Sequence, residues 1–127
     1  MDIKDFQEKL DGAIGEILKL IEKKITNNLV DLEVPDTVED GNVVPLTFKV
    51  NCSMKKNDYP KKVHVLALEN PFPEVATYEF FSESGNAEVS FRCRMRTSSF
   101  IMIIAEMNDG RIGKEKKYVD VMLGACS

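Results

Sequence analysis

The sequence is poor in the residues from which most catalytic and metal centres are built. It has one histidine, His64, and three cysteines, Cys52, Cys93 and Cys126, none of them in a CxxC pair. Structural zinc sites take four ligands at compact spacings, and these four side chains are scattered along the chain, so no metal site is expected. A Cys–His enzyme needs a histidine beside its thiol and a third group to orient it. No pattern around His64 or Cys126 supplies that, so His64 reads as a strand-edge or hydrogen-bonded residue and the chain as a non-enzyme. Positive charge is not in excess either. The formal net charge is −4 and the isoelectric point about 5.1, whereas nucleic-acid and anionic-membrane binding call for a basic surplus. No apolar run approaches the roughly 18–20 residues of a membrane span. Asp2, Asp5, Glu8 and Asp11 stand where a secretory signal would be basic, and no continuous apolar stretch follows. The chain is therefore expected either to stay in the cytoplasm or to begin as a trimmed mature form.

What is present is a single domain of 127 residues, 43% hydrophobic, long enough to bury a core. Ile3, Phe6, Leu10, Ile14, Ile17, Leu18 and Ile21 recur at steps of three and four, which predicts an amphipathic helix over 3–25, weakened by Gly12 and Gly15. The period then switches to two. Strands are predicted over 29–34, 44–54, 63–68, 75–81, 87–95, 100–107 and about 112–123, with a turn-like stretch at 36–42, the loop ENPFPE and an NDG turn at 108–110. Pro45 suggests an edge or a bulge, and 100–107, apolar on both faces, a central strand. Seven strands with short turns make an immunoglobulin-like antiparallel β-sandwich the economical architecture. The division is a helical segment at 1–28, a sandwich at 29–123 and a C-terminal arm at 124–127.

The same alternation separates the thiols. Cys52 shares a face with Phe48 and Val50, and Cys93 with Val89 and Phe91, so both read as small buried hydrophobes. A disulfide between them does not follow from spacing. Cys126 belongs to neither face and is flanked by Gly124, Ala125 and Ser127. With an unperturbed pKa near 8.5 it is only slightly ionised at neutral pH. The α-carboxylate of Ser127 opposes ionisation further. Such a thiol suits a handle that another protein's active site receives, and four extended residues reach roughly 13–14 Å. Arg92, Arg94 and Arg96 form a row that is either a solvated face or a contact surface for an acidic partner or an anionic group. Met95, Met102, Met107 and Met122 read as core or interface filling.

The stretches VPDTVEDGNVVPLTFKVNCSM, VHVLALENPFPEVATYEFF, SGNAEVSFRCRMR and IAEMNDG, followed by the terminal Gly–Cys segment, resemble the SoxY family of sulfur carriers, from about Leu29 to the end. The resemblance implies an immunoglobulin-type sandwich that pairs with a second small β-sandwich subunit, SoxZ. It also implies a C-terminal cysteine that holds sulfur intermediates covalently. Separate enzymes then add thiosulfate, hydrolyse off sulfate and oxidise the remaining sulfur. Carried onto this sequence, Cys126 is the attachment site, and Gly124, with Ala125 and Ser127, makes the arm. No cofactor is implied. The family tail is typically Gly-Gly-Cys-Gly-Gly, so Gly124-Ala125-Cys126-Ser127 is a shorter, stiffer arm. Family members usually carry a twin-arginine export signal, which places this one in the periplasm despite its acidic beginning. The competing reading is a β-sandwich interaction subunit whose terminal thiol is incidental or forms an intermolecular disulfide.

Overall fold

Alternation of period two builds eight strands, described in a computed structural model over residues 25–83 and 85–124. They form two sheets around one core. The smaller sheet runs β1 (Val30–Glu33), β3 (Val44–Val50), β6 (Glu88–Cys93), antiparallel throughout. The larger has the order β2 (Thr37–Asp40), β8 (Ile112–Leu123), β7 (Ser99–Met107), β4 (Pro60–Ala67), β5 (Glu74–Glu79). Val30 and Leu32 of β1 and Val44, Leu46, Phe48 and Val50 of β3 point inward and meet Val63, Val65, Ile101 and Ile103 of the larger sheet. Tyr78 of β5 stands between Phe48 and Phe91, each ring centroid 5.6 Å from it, so aromatic contacts tie the sheets together. Tilted pairs of this kind are worth about 0.5–1.5 kcal/mol each beyond burial.

The predicted central strand is central: β7 lies between β4 and β8. Both of its faces are buried along most of its length, as are both faces of β4, where Leu66, like Ile104 on β7, is fully enclosed. Pro45 sits opposite Arg92 of β6, and β1 pairs only with 47–50, so the proline occupies a local edge where its missing N–H costs nothing. The β7–β8 hairpin turns through Gly110 at φ +95°, in the left-handed region glycine tolerates. Beside it, Arg111 bridges Asp109 and Asp58, and Asn108 holds the backbone of Tyr59, so the AEMNDG turn anchors the β3–β4 connection.

Two expectations are corrected. The turn-like stretch 36–42 contains β2, which pairs parallel with β8, so the larger sheet is not wholly antiparallel. Only Val38 of β2 turns inward, and a single buried residue leaves no alternation to read. The strand expected over 44–54 ends at Val50, and Met54 adopts φ 62°. The helix expected over 3–25 lies outside the described residues except for Ile25, which forms a parallel bridge with Ile112. Residues 27 and 28, assigned to the helical segment, form a turn.

Candidate functional site

The last strand is longer than its neighbour. Pairing of β7 with β8 stops at Ser99 and Val119, so residues 120–123 run on beyond the edge of β7 and need other partners. They find them on both sides. On one side β2 supplies parallel pairing up to Leu123, and the next residue, Gly41, donates its N–H to the Leu123 carbonyl at 2.8 Å. The Gly41 carbonyl accepts from Met95 N at 2.7 Å, which joins this end of β8 to the segment that follows β6. On the other side Ser98 Oγ accepts from Val121 N and donates to Asp120 Oδ1, each at 2.8 Å.

Gly124 comes next, against the backbone of Arg96 and Thr97. A Cβ on Gly124 would overlap the Arg96 carbonyl oxygen. The glycine expected to loosen the arm is thus required by a close approach: only a residue without a side chain lets the chain pass there. The Arg96 backbone is itself fixed. Asn70, in the ENPFP loop, accepts from Arg96 N at 3.0 Å and donates through Nδ2 to the Arg94 carbonyl at 2.9 Å. The loop motif therefore holds the ledge on which the arm root rests. Ala125, Cys126 and Ser127 lie outside the described residues.

The other two thiols are both free. Cys93 is buried, as expected, and burial pushes its pKa up to about 11. Cys52 is only half-buried, because β3 ends two residues before it; its thiol lies 3.7 Å from the Val50 carbonyl and 3.5 Å from Met54 Sδ. Burial raises its pKa too, partly offset by a hydrogen bond from the Met54 backbone. Met102, on the outer face of β7, is buried, and Met95 and Met107 fill the interior. Met122 does not: beyond the end of β7 it is 73% exposed, beside an equally bare Leu123. The side chains of Arg92, Arg94 and Arg96 are exposed. His64 is buried on β4, an internal strand, with Nε2 2.9 Å from Glu106 Oε2, so of the two readings, strand-edge or hydrogen-bonded, the second holds.

Sequence reasoning missed a cavity of about 620 Å³ on the outer face of β7 and β8. Phe100, Tyr118, Lys114 and Lys116 line it, and Thr97 and Ser98 close the end nearest the arm root. Phe100 and Tyr118 meet edge to face at 5.2 Å, and Lys116 Nζ lies 4.8 Å from the Phe100 ring centroid. Only the pairing of β7 with β8 sets Phe100 opposite Tyr118, so no local pattern marks the cavity in the sequence. Among the described residues no group of three or more His, Cys, Asp and Glu side chains is placed to hold a metal.

A family model described as sulfur oxidation protein SoxY matches residues 17–126. No curated protein sequence matches the chain. Among solved structures, the fold is similar to that of the sulfur carrier protein SoxY from Chlorobium limicola f thiosulfatophilum. The TM-score is 0.67 at 23% identity, over 90% of this chain and 96% of that one. It is also similar to a superoxide reductase (neelaredoxin) from Ignicoccus hospitalis, with TM-score 0.65 and 12% identity over 95% and 99% of the two chains. A putative superoxide reductase from Thermotoga maritima follows at TM-score 0.59 and 17% identity, over 80% and 89%. At these identities the structural likeness speaks for the fold alone.

Proposed function

The chain belongs to the SoxY family of sulfur oxidation proteins, and from that premise we propose that it is a covalent carrier whose Cys126 bears sulfur intermediates and offers them to separate enzymes. The observation that supports this reading is the arm root. Gly41, Ser98 and the Arg96 carbonyl secure the end of β8, so whatever follows Gly124 starts from a fixed point at one end of the molecule. Cys93 and Cys52 are enclosed or half-enclosed with raised pKa values, which leaves Cys126 as the thiol for presentation.

In the reaction this implies, the sulfane sulfur of thiosulfate bonds to Cys126 Sγ. Two electrons pass to an oxidising partner enzyme and the thiol proton is released, leaving Cys–S–S–SO3⁻. Water then cleaves the terminal S–S bond, giving sulfate, a proton and a cysteine persulfide. The carrier supplies the anchoring sulfur, and the enzymes supply the oxidant and the hydrolytic site. Intact-protein mass spectrometry after incubation with thiosulfate and thiosulfate-oxidising enzymes tests this directly. Wild type is expected to gain the adduct and Cys126→Ser to gain nothing; an adduct that survives in the variant would refute the assignment.

A SoxZ-like subunit belongs to the same proposal. Exposed Met122 and Leu123 at the arm end, with Val43 nearby on the turn after β2, form apolar surface suited to a protein partner.

A further inference from the structure

We propose that Arg92, Arg94 and Arg96 form the surface on which the enzyme that loads Cys126 docks, and that this enzyme meets them with an acidic rim. This rests on the carrier reading above and adds the surface chemistry of the partner. The chain has thirteen lysines but only four arginines. One of the four, Arg111, is held by Asp58 and Asp109. The other three alternate with the buried Cys93 and Met95, so all of them face outward from one side of β6 and the segment that follows it. Strand β6 is an outer strand of the smaller sheet.

The surroundings leave this row uncompensated. Elsewhere on the outer face of the smaller sheet charge is balanced across the strands: Lys49 stands between Asp31 of β1 and Glu88 of β6. One rung on, Thr47 Oγ1 and Ser90 Oγ share a hydrogen bond at 2.7 Å. At the next rung Arg92 faces Pro45, which brings no charge. Among the described residues no carboxylate pairs with any of the three guanidinium groups. Asp40, beside the Gly41 carbonyl that holds Met95, spends Oδ1 on the backbone and side-chain amides of Asn42.

A transient protein partner fits such a row. Arginine binds carboxylates through paired hydrogen bonds and is enriched at protein interfaces, where lysine is depleted. On a chain of net charge −4 an acidic partner is attracted only where cations cluster, so the row fixes the face on which it lands. Contacts of this kind form fast and release, as a carrier that visits several enzymes requires. The row ends at Arg96, whose carbonyl lies against Gly124, so a partner seated on it sits where the arm begins. A permanent subunit is better served by the apolar Met122 and Leu123. Charge on an outer strand also discourages edge-to-edge association, but charge of either sign does that.

The test follows loading of the full chain by the thiosulfate-oxidising enzyme, with the carrier as the varied substrate. Sodium chloride is raised from about 10 mM to about 150 mM, over which the screening length falls from about 30 Å to about 8 Å. The variant Arg92→Gln/Arg94→Gln/Arg96→Gln is expected to lower kcat/KM about tenfold at low salt, through KM, and to lose the salt dependence of wild type. The corresponding Arg→Glu variant should load more slowly still while staying as monodisperse as wild type, which edge protection alone does not explain. The corresponding Arg→Lys variant should restore the salt dependence and part of KM. Iodoacetamide, a neutral reagent, should alkylate Cys126 equally fast in all four proteins. Wild-type kcat/KM in the glutamine variant, a loss confined to kcat, a loss as large at high salt as at low, or alkylation that slows in step with loading overturns the docking surface. Wild type that gains no adduct on Cys126 overturns the carrier reading instead, so the two failures are distinct.

Discussion

Gly124 and Cys93 show how much one position can decide. Gly124→Ala drives a methyl group into the Arg96 carbonyl, and backbone on both sides is already hydrogen-bonded. Relief requires the arm root to move off its ledge. The expected cost is about 1–3 kcal/mol, read from urea denaturation, together with slower enzymatic loading of Cys126. A variant as stable and as quickly loaded as wild type would show that the close approach is not needed. Cys93 makes a prediction of opposite character. Its folded pKa, about 11, lies above the usual thiol value because burial disfavours the thiolate. Raised by folding, the group contributes stability that is complete below about pH 9 and disappears as pH rises toward 11. Unfolding free energy measured across that interval should fall with pH in wild type and fall less steeply in Cys93→Ala. Alkylation at pH 8 should spare Cys93 in the native protein and reach it only on unfolding.

At the scale of elements, the ENPFP loop acts at a distance from itself. Its Asn70 uses both amide functions on the backbone of Arg94 and Arg96, and that backbone holds Gly124 in place. Asn70→Ala removes both bonds and should cost about 1–2 kcal/mol in thermal or urea unfolding. Asn70→Asp keeps the acceptor for Arg96 N but turns an oxygen toward the Arg94 carbonyl, so it should recover only part of the loss. Equal stability of all three proteins would remove the loop from this role. Strand β2 belongs to the same end. Four residues long with one buried side chain, it persists because it pairs with β8, and through Gly41 it closes the arm root from the far side. Its composition reads as a turn; its partner, at the other end of the chain, makes it a strand.

For the whole molecule, polarity along β8 organises the rest. At its start the NDG hairpin, with Arg111 spanning Asp58 and Asp109, ties the two sheets' connections together. At its end stand the arm root, the bare side chains of Met122 and Leu123, and the cavity. A partner subunit bound at this end should lose about tenfold or more in affinity on Met122→Asp, about 1.4 kcal/mol. The isolated chain's stability should stay within about 0.5 kcal/mol, as exposed substitutions usually do. Titration calorimetry with a SoxZ subunit checks this, and unchanged affinity would place the partner elsewhere.

By itself the sequence determined what depends on local period and residue type. The alternation placed six of the seven expected strands with sound cores and extended the second, 44–54, too far. It put Cys93 inside, marked β7 as central from its two apolar faces, and singled out Cys126 because that residue follows the last strand. These follow from side chains that must face either water or the core, a choice legible at a spacing of two. Only the tertiary structure decided what depends on partners far apart in the chain. Those are the parallel pairing of β2 with β8, the ledge that Asn70 builds for Gly124, the exposure of Met122 past the end of β7, and the meeting of Phe100, Tyr118 and Lys116 beside the arm root. Each is a contact between surfaces of fixed register, and register is set by the packing of the whole core rather than by any stretch of sequence.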